Sequence, residues 1–224
     1  VNNMDQLSKA VQMYKVEFDA IFPPALSYDP KPGFPPQVPW LGWDNSNAPL
    51  DDGLYGDILK PAVGPFRPGL IDRFLRNEGA KLCSVKQGAW QLTYVANSFA
   101  PDEASAFYDD NPTIYGKEFA PMAREKKNAP DGSVYYVGAA DGEVEIPGDT
   151  LIAWEHKFKA PICNWLQTYN WFESAPATET SHFGWLHRGG SGVAFADGRG
   201  GYMPYWKLRR PKFSSYKDIY RGRY

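Results

Sequence analysis

The stretch "LHRGGSGVAFADGRGGYMP", residues 186–204, concentrates residue types that could do chemistry. His187 can ligate a metal, move a proton near neutral pH, or simply hold a hydrogen bond. Asp197 follows after nine intervening residues, and Glu155 and His156 sit upstream in a strand-like segment. With His182 these could converge as transition-metal ligands. Their spacing, however, has neither the H-x-x-x-H nor the H-E-x-x-H form that sets two ligands on one helix face. The glycines precede an apolar run instead of opening a helix, and no G-K-[ST] follows, which argues against a phosphate-cradling loop. Asp109, Asp110 and Asn111 offer oxygen ligands for calcium, without the regular pattern of an EF-hand. There is no G-x-S-x-G, and neither Cys83 nor Cys163 has an activating neighbour in sequence. The expectation is therefore no catalytic residue, no cofactor and no transition metal. His187 and Asp197 are read as structural: an Asp–His hydrogen bond, or an Asp capping turn amides, would lock a Gly-rich corner.

Several elements must position that corner. In "VNNMDQLSKAVQMYKVEFDAIFPPAL", Met4, Leu7, Val11, Tyr14, Phe18 and Ile21 recur at spacings of three and four, which makes one apolar stripe on a helix over residues 2–21. Met13, Val16 and Ala20 form a second, weaker stripe, so cover on two sides is expected for the lower half. Pro23 and Pro24 are expected to stop the helix. "PGLIDRFLRNEG" reads as a short helix between an early proline and a final glycine. "AWQLTYVANSF", "SVYYVG" and "DTLIAWEHKF" read as strands. In 186–204, Val193 and Phe195 alternate with small residues ahead of an Asp-Gly turn, a β-hairpin pattern, with Glu155 expected on a strand nearby.

The bulk numbers bound the class. A chain of 224 residues with 20 prolines, 21 glycines and 16% aromatics suits short strands and long ordered loops around one core. A formal charge of −2 gives no field toward nucleic acid, and no apolar run approaches a bilayer span. Two cysteines, Cys83 and Cys163, lack C-x-x-C spacing; they suit one disulfide in an exported protein or two thiols in a cytosolic one. From Lys207 onward the tail carries seven basic residues against Asp218 alone, interleaved with Phe213, Tyr216, Tyr220 and Tyr224. It reads as a strap held by aromatic packing or as a docking segment for an acidic neighbour.

Four segments, in order, resemble the prepilin-type, processing-associated family with the H-X9-DG signature. "HRGGSGVAFADG" carries His187, Asp197 and Gly198 at the family's positions. "NNMDQLSKAVQMYKVEFDAIFPPAL" is similar to its N-terminal pattern through Asn2, Asn3, Leu7, Tyr14, Phe22, Pro23 and Pro24. "LCSVKQGAWQLTYVAN" resembles its Cys-containing segment through Cys83, Ser84, Tyr94 and Asn97, and "IPGDTLIAWEHKF" its later strand through Thr150, Leu151, Ile152 and Glu155. The chain departs from the family at Ser84, at "DGRGGYMP" and in its basic tail.

The resemblance implies an α+β, pilin-like fold: an N-terminal amphipathic helix on an antiparallel sheet with long aromatic- and Pro-rich loops. Residues 1–22 would be the second half of a pilin-type helix, and 23–224 the globular head, its tail beginning near 207. It implies an exported structural subunit, anchored in the inner membrane by a segment preceding Val1. Such a subunit assembles with copies of itself or related subunits into a surface or periplasmic filament or a secretion pseudopilus, without nucleic acid. The rival class is a secreted carbohydrate-binding module built on Trp40, Trp43, Trp165, Trp171 and Trp185, or a metal-dependent hydrolase using Glu155, His187 and Asp197.

Overall fold

A computed structural model describes residues 2–33, 36–42, 68–87, 90–97, 120–156, 162–163, 187 and 190–204. Among them, one helix and antiparallel sheets make an α+β chain. Helix α1 spans Asn2–Glu17. It stops four residues short of the expected end, and not at the prolines. Ala20 N–H reaches back to the Lys15 carbonyl, while Asp19 (φ 50°) and Ala20 (φ 60°) adopt the left-handed conformation. That six-to-one bond is the closure of a Schellman-type end, formed here without glycine. Ile21 then forms a bridge to Ala140, which redirects the chain.

The main sheet has six strands. β3 (Leu82–Gln87), β4 (Trp90–Asn97), β7 (Leu151–His156), β9 (Gly190–Phe195) and β10 (Gly200–Pro204) run in the order β10-β9-β7-β4-β3, and all these pairs are antiparallel. The two-residue β8 (Ile162–Cys163) adds to β4 in parallel, so the sheet is mixed at one point. Two small hairpins flank it: β1 (Leu26–Tyr28) with β2 (Gln37–Pro39), and β5 (Glu125–Asn128) with β6 (Val134–Val137). The three strands and the hairpin expected from alternation are present. The short helix expected at 68–79 is not: residues Asp72–Phe74 and Glu78–Lys81 form single 3-10 turns.

Those turns bind a loop neck. Gly42 N–H and Gly69 N–H both donate to Asp72, at 3.0 and 2.9 Å, and Lys81 pairs with the same carboxylate at 2.6 Å. Asp72 and Lys81 are buried, and the backbone hydrogen bonds to both Asp72 oxygens help to offset the cost of burying the pair.

Met4, Leu7, Ala10, Val11 and Tyr14 are buried and join Tyr94, Ala96, Ala153, Trp154 and Val193 in one core cluster. The stripe breaks after Tyr14. Phe18 and Ile21 are each 40% exposed, because the helix has ended and the sheet is no longer beneath them. Phe18 instead stacks on Tyr14 with ring centroids 4.2 Å apart. The second stripe is not covered either: Met13 is 50% and Val16 88% exposed, and Ala20 is exposed. Among the described residues no helix is long and apolar enough to cross a membrane.

Candidate functional site

Register decides which side chains meet under α1. Tyr94 faces Glu155 across β4–β7, and Trp154 faces Val193 across β7–β9. Side chains alternate along a strand, so Glu155 and Gly192 share the opposite face, the one α1 covers. On that face β9 and β10 present Gly190, Gly192, Ala194 and Gly200. The glycines are steric requirements. A Cβ on Gly200 would stand 2.4 Å from the Asp5 backbone nitrogen, and one on Gly192 would stand 2.9 Å from the Glu155 carboxyl and 3.0 Å from Met4 Cγ. One on Gly190 would enter the Tyr202 ring at 2.4 Å. The Gly-rich stretch is thus a platform that lets helix backbone, a carboxylate and a tyrosine ring come down onto the strands.

Glu155 is the polar centre of the platform. It is 2% exposed. Its Oε2 accepts the Gly192 N–H at 2.7 Å, and its Oε1 lies 3.0 Å from His187 Nε2. The Ser191 hydroxyl lies 3.4 Å from the Glu155 carbonyl. The His187 carbonyl accepts the Tyr202 hydroxyl at 2.7 Å, and His187 and Gly190 exchange backbone bonds at 3.4 and 3.2 Å. Asn3 donates to the Tyr94 hydroxyl at 3.1 Å, and the Gly200 N–H donates to Asp5 at 2.9 Å. One carboxylate therefore ties β7 to β9 and to the segment before β9, while α1 reaches β4 and β10.

The expected lock between His187 and Asp197 is not formed. The two residues flank opposite ends of β9, and its six residues hold them roughly 20 Å apart. Asp197 is exposed and takes the other expected role, that of a cap on a turn amide. It accepts from the Arg199 backbone N–H at 3.0 Å and from Arg199 Nε at 3.3 Å. Gly198 follows at φ 94°, which its lack of a Cβ allows, and a Cβ there would stand 2.8 Å from Gln12 Cγ. Gln12 in turn donates to the Ala196 carbonyl at 3.1 Å. The motif's two ends thus do two jobs. His187 braces a buried carboxylate, and Asp197-Gly198 shapes the turn that α1 grips.

Asn97 is buried on β4 and donates to the Leu151 carbonyl at 3.0 Å, a link to β7 beyond their ladder. Trp40 is buried in the core, so it offers no surface to a sugar. Trp43, Trp165, Trp171, Trp185, His182, the Asp109–Asp110–Asn111 cluster and the tail from 207 lie outside the described residues. Cys83 lies on β3 and Cys163 on β8, along the same edge of β4. Leu82 faces Thr93 and Cys163 faces Asn97, about 13 Å apart along β4, against the ~7 Å between Cα atoms that a disulfide spans.

As a metal site the trio does not assemble: Glu155 and His187 meet and Asp197 stays away. Among the described residues no three His, Cys, Asp or Glu side chains converge. What sequence reasoning missed is Glu155 as His187's partner and the glycines as contact surface. The signal was present in the i, i+2 repeat of Gly190 and Gly192 on a strand, which marks close approach. Set against models of known families, curated proteins and solved structures, the chain matches none.

Proposed function

We propose that this chain is a pilin-like structural subunit that acts by assembly and not by turnover. The observation that carries the reading is the seating of α1: Met4, Leu7 and Val11, each 0% exposed, close over a glycine platform in the H-X9-DG hairpin. His187, Glu155, Asp197, Gly198 and Asn97 all hold backbone or one another there. Both oxygens of the Glu155 carboxylate are engaged, and α1 covers it. A head built so tightly on one helix suits a protein whose helix must transmit position from one subunit to the next.

In this reading the native protein is exported, anchored in the inner membrane before assembly, and partnered by other copies or related pilin-like subunits. The test is performed in the source cells with a tagged full gene product. A membrane-impermeant cross-linker applied to intact cells should yield a ladder of tagged multimers in the sheared or envelope fraction. A tag recovered only as an unlinked monomer in the cytosol would contradict the proposal.

A further inference from the structure

The end of α1 away from the hairpin carries exposed apolar side chains, with Phe18 held on one side by the Tyr14 ring and by Arg73, whose guanidinium lies 5.2 Å from its ring centroid. Val16 is 88% exposed, Met13 50%, and Phe18 and Ile21 40% each, the largest apolar exposures among the described residues besides Tyr202. Single exposed apolar residues are ordinary, but here two stripes, Met13 with Val16 and Phe18 with Ile21, crowd four of them into nine positions at one helix end.

The charges around this surface say what covers it. Glu17 and Asp19 belong to the helix end. Asp141 and Glu143 lie in the turn whose Asp141 N–H donates to the Ala20 carbonyl, and Glu145 follows it. Against these five carboxylates stand Lys15, paired with Asp141, Arg73, paired with Glu17, and Arg124, paired with Glu143. Asp19 and Glu145 are exposed and make no ion pair among the described residues. The carbonyl end of α1 adds negative potential at the same place. An apolar surface rimmed by net negative charge calls for a basic segment with aromatic side chains.

This chain contains one. Lys207, Arg209, Arg210, Lys212, Lys217, Arg221 and Arg223 alternate with Phe213, Tyr216, Tyr220 and Tyr224. We propose that residues 207–224 dock on the α1 end, their aromatic rings on Phe18 and Ile21 and their cations against Asp19 and Glu145. The reach suffices. Gly200 is held at Asp5, so Pro204 lies four strand residues from it and Glu17 twelve helix residues. That makes a path of about 31 Å, whereas eighteen residues extend to about 60 Å. The docking does not depend on the assembly reading and can occur within one copy or onto its neighbour.

Zero-length carbodiimide coupling of the full chain tests it, because it joins a carboxylate to a lysine only in direct contact. Lys212 or Lys217 should couple to Asp19, Glu17 or Glu145. Yield should fall several-fold in ~0.5 M salt, where charges beyond about 4–5 Å are screened, and in Asp19→Asn/Glu145→Gln. Both substituted residues are exposed and unpaired among the described residues, so circular dichroism should show that variant folded. Mixing isotope-labelled and unlabelled chains assigns the coupling to one copy or two, and either supports the docking. Lysines that couple to other carboxylates, or to none, or with a yield indifferent to salt and to the double substitution, would overturn it.

Discussion

The two halves of the segment from Asn2 to Ile21 carry one sequence pattern and meet opposite fates. Met4, Leu7 and Val11 are sealed at 0% exposure, whereas Phe18 and Ile21, on the same stripe, are 40% exposed. Periodicity specifies a face; what lies under the face decides its burial. Under the first half lie strands stripped to Gly and Ala on one side, so the helix backbone comes into contact. Under the second half the helix has already ended in a left-handed turn at Asp19 and Ala20, and the rings beyond it stack on one another instead. The comparison teaches that this helix is held by a platform, and that its far end is held mainly by the turn and a few side chains.

The largest expected effects break the sealed half. Gly200→Ala pushes a methyl against the Asp5 backbone, which cannot yield as a flexible side chain does. It should cost about 3 kcal/mol, the upper end of overpacking penalties. Leu7→Ala should cost about 3 kcal/mol through the cavity it leaves. Phe18→Ala, on the open half, should cost less than about 1 kcal/mol. Urea unfolding of the three variants reads the contrast directly. Equal losses at Leu7 and Phe18 would mean that the two halves are held alike.

The two acidic residues around the hairpin sharpen the same comparison at smaller scale. Glu155→Ala leaves the buried Gly192 N–H without its acceptor and removes the His187 partner. It should destabilise by about 2–3 kcal/mol, the cost of a buried donor left unmatched. Asp197→Ala removes an exposed turn cap and should cost about 0.5–1 kcal/mol. The reverse order would restore Asp197 as the lock. Two free thiols at Cys83 and Cys163, titrated in the unfolded chain without reductant, are also expected from their separation along β4.

The smallest effect is a pH dependence at the junction of the halves. Tyr14 is raised above the ordinary phenol range, first by burial; nearby Arg73 opposes the shift and Glu17 adds to it. A raised acid prefers its neutral form in the folded chain. Its contribution is therefore complete below the unfolded value of about 10 and fades as pH rises through the folded one. Tyr14→Phe should flatten that alkaline loss in a pH series of melting temperatures.

Much of this architecture was legible because it rests on local pattern. The helix face from Met4 to Tyr14, strands β4, β6 and β7, and the β9–β10 hairpin all follow from periodicity and an Asp-Gly turn. The rest depended on partners far apart in sequence. Nothing local pairs His187 with Glu155, 32 positions away, in preference to Asp197, ten away; only the β7–β9 register does so. The helix end was misplaced for a related reason. Pro23 and Pro24 are conspicuous stops, but a long-range bridge from Ile21 to Ala140 takes the chain first. Gly190 and Gly192 stood out as residues yet not as a surface, because their role belongs to Tyr202, Glu155 and Met4, which the fold brings to them.

Amide hydrogen exchange tests the central claim, that α1 is clamped at the platform and open beyond it. The Gly192 N–H is held by Glu155 and the Gly200 N–H by Asp5, both under the helix. These two amides should exchange only by global unfolding, while the amides of Asp19 to Ile21 exchange orders of magnitude faster through local opening. Gly192 and Gly200 exchanging as fast as the Asp19–Ile21 turn would contradict the account.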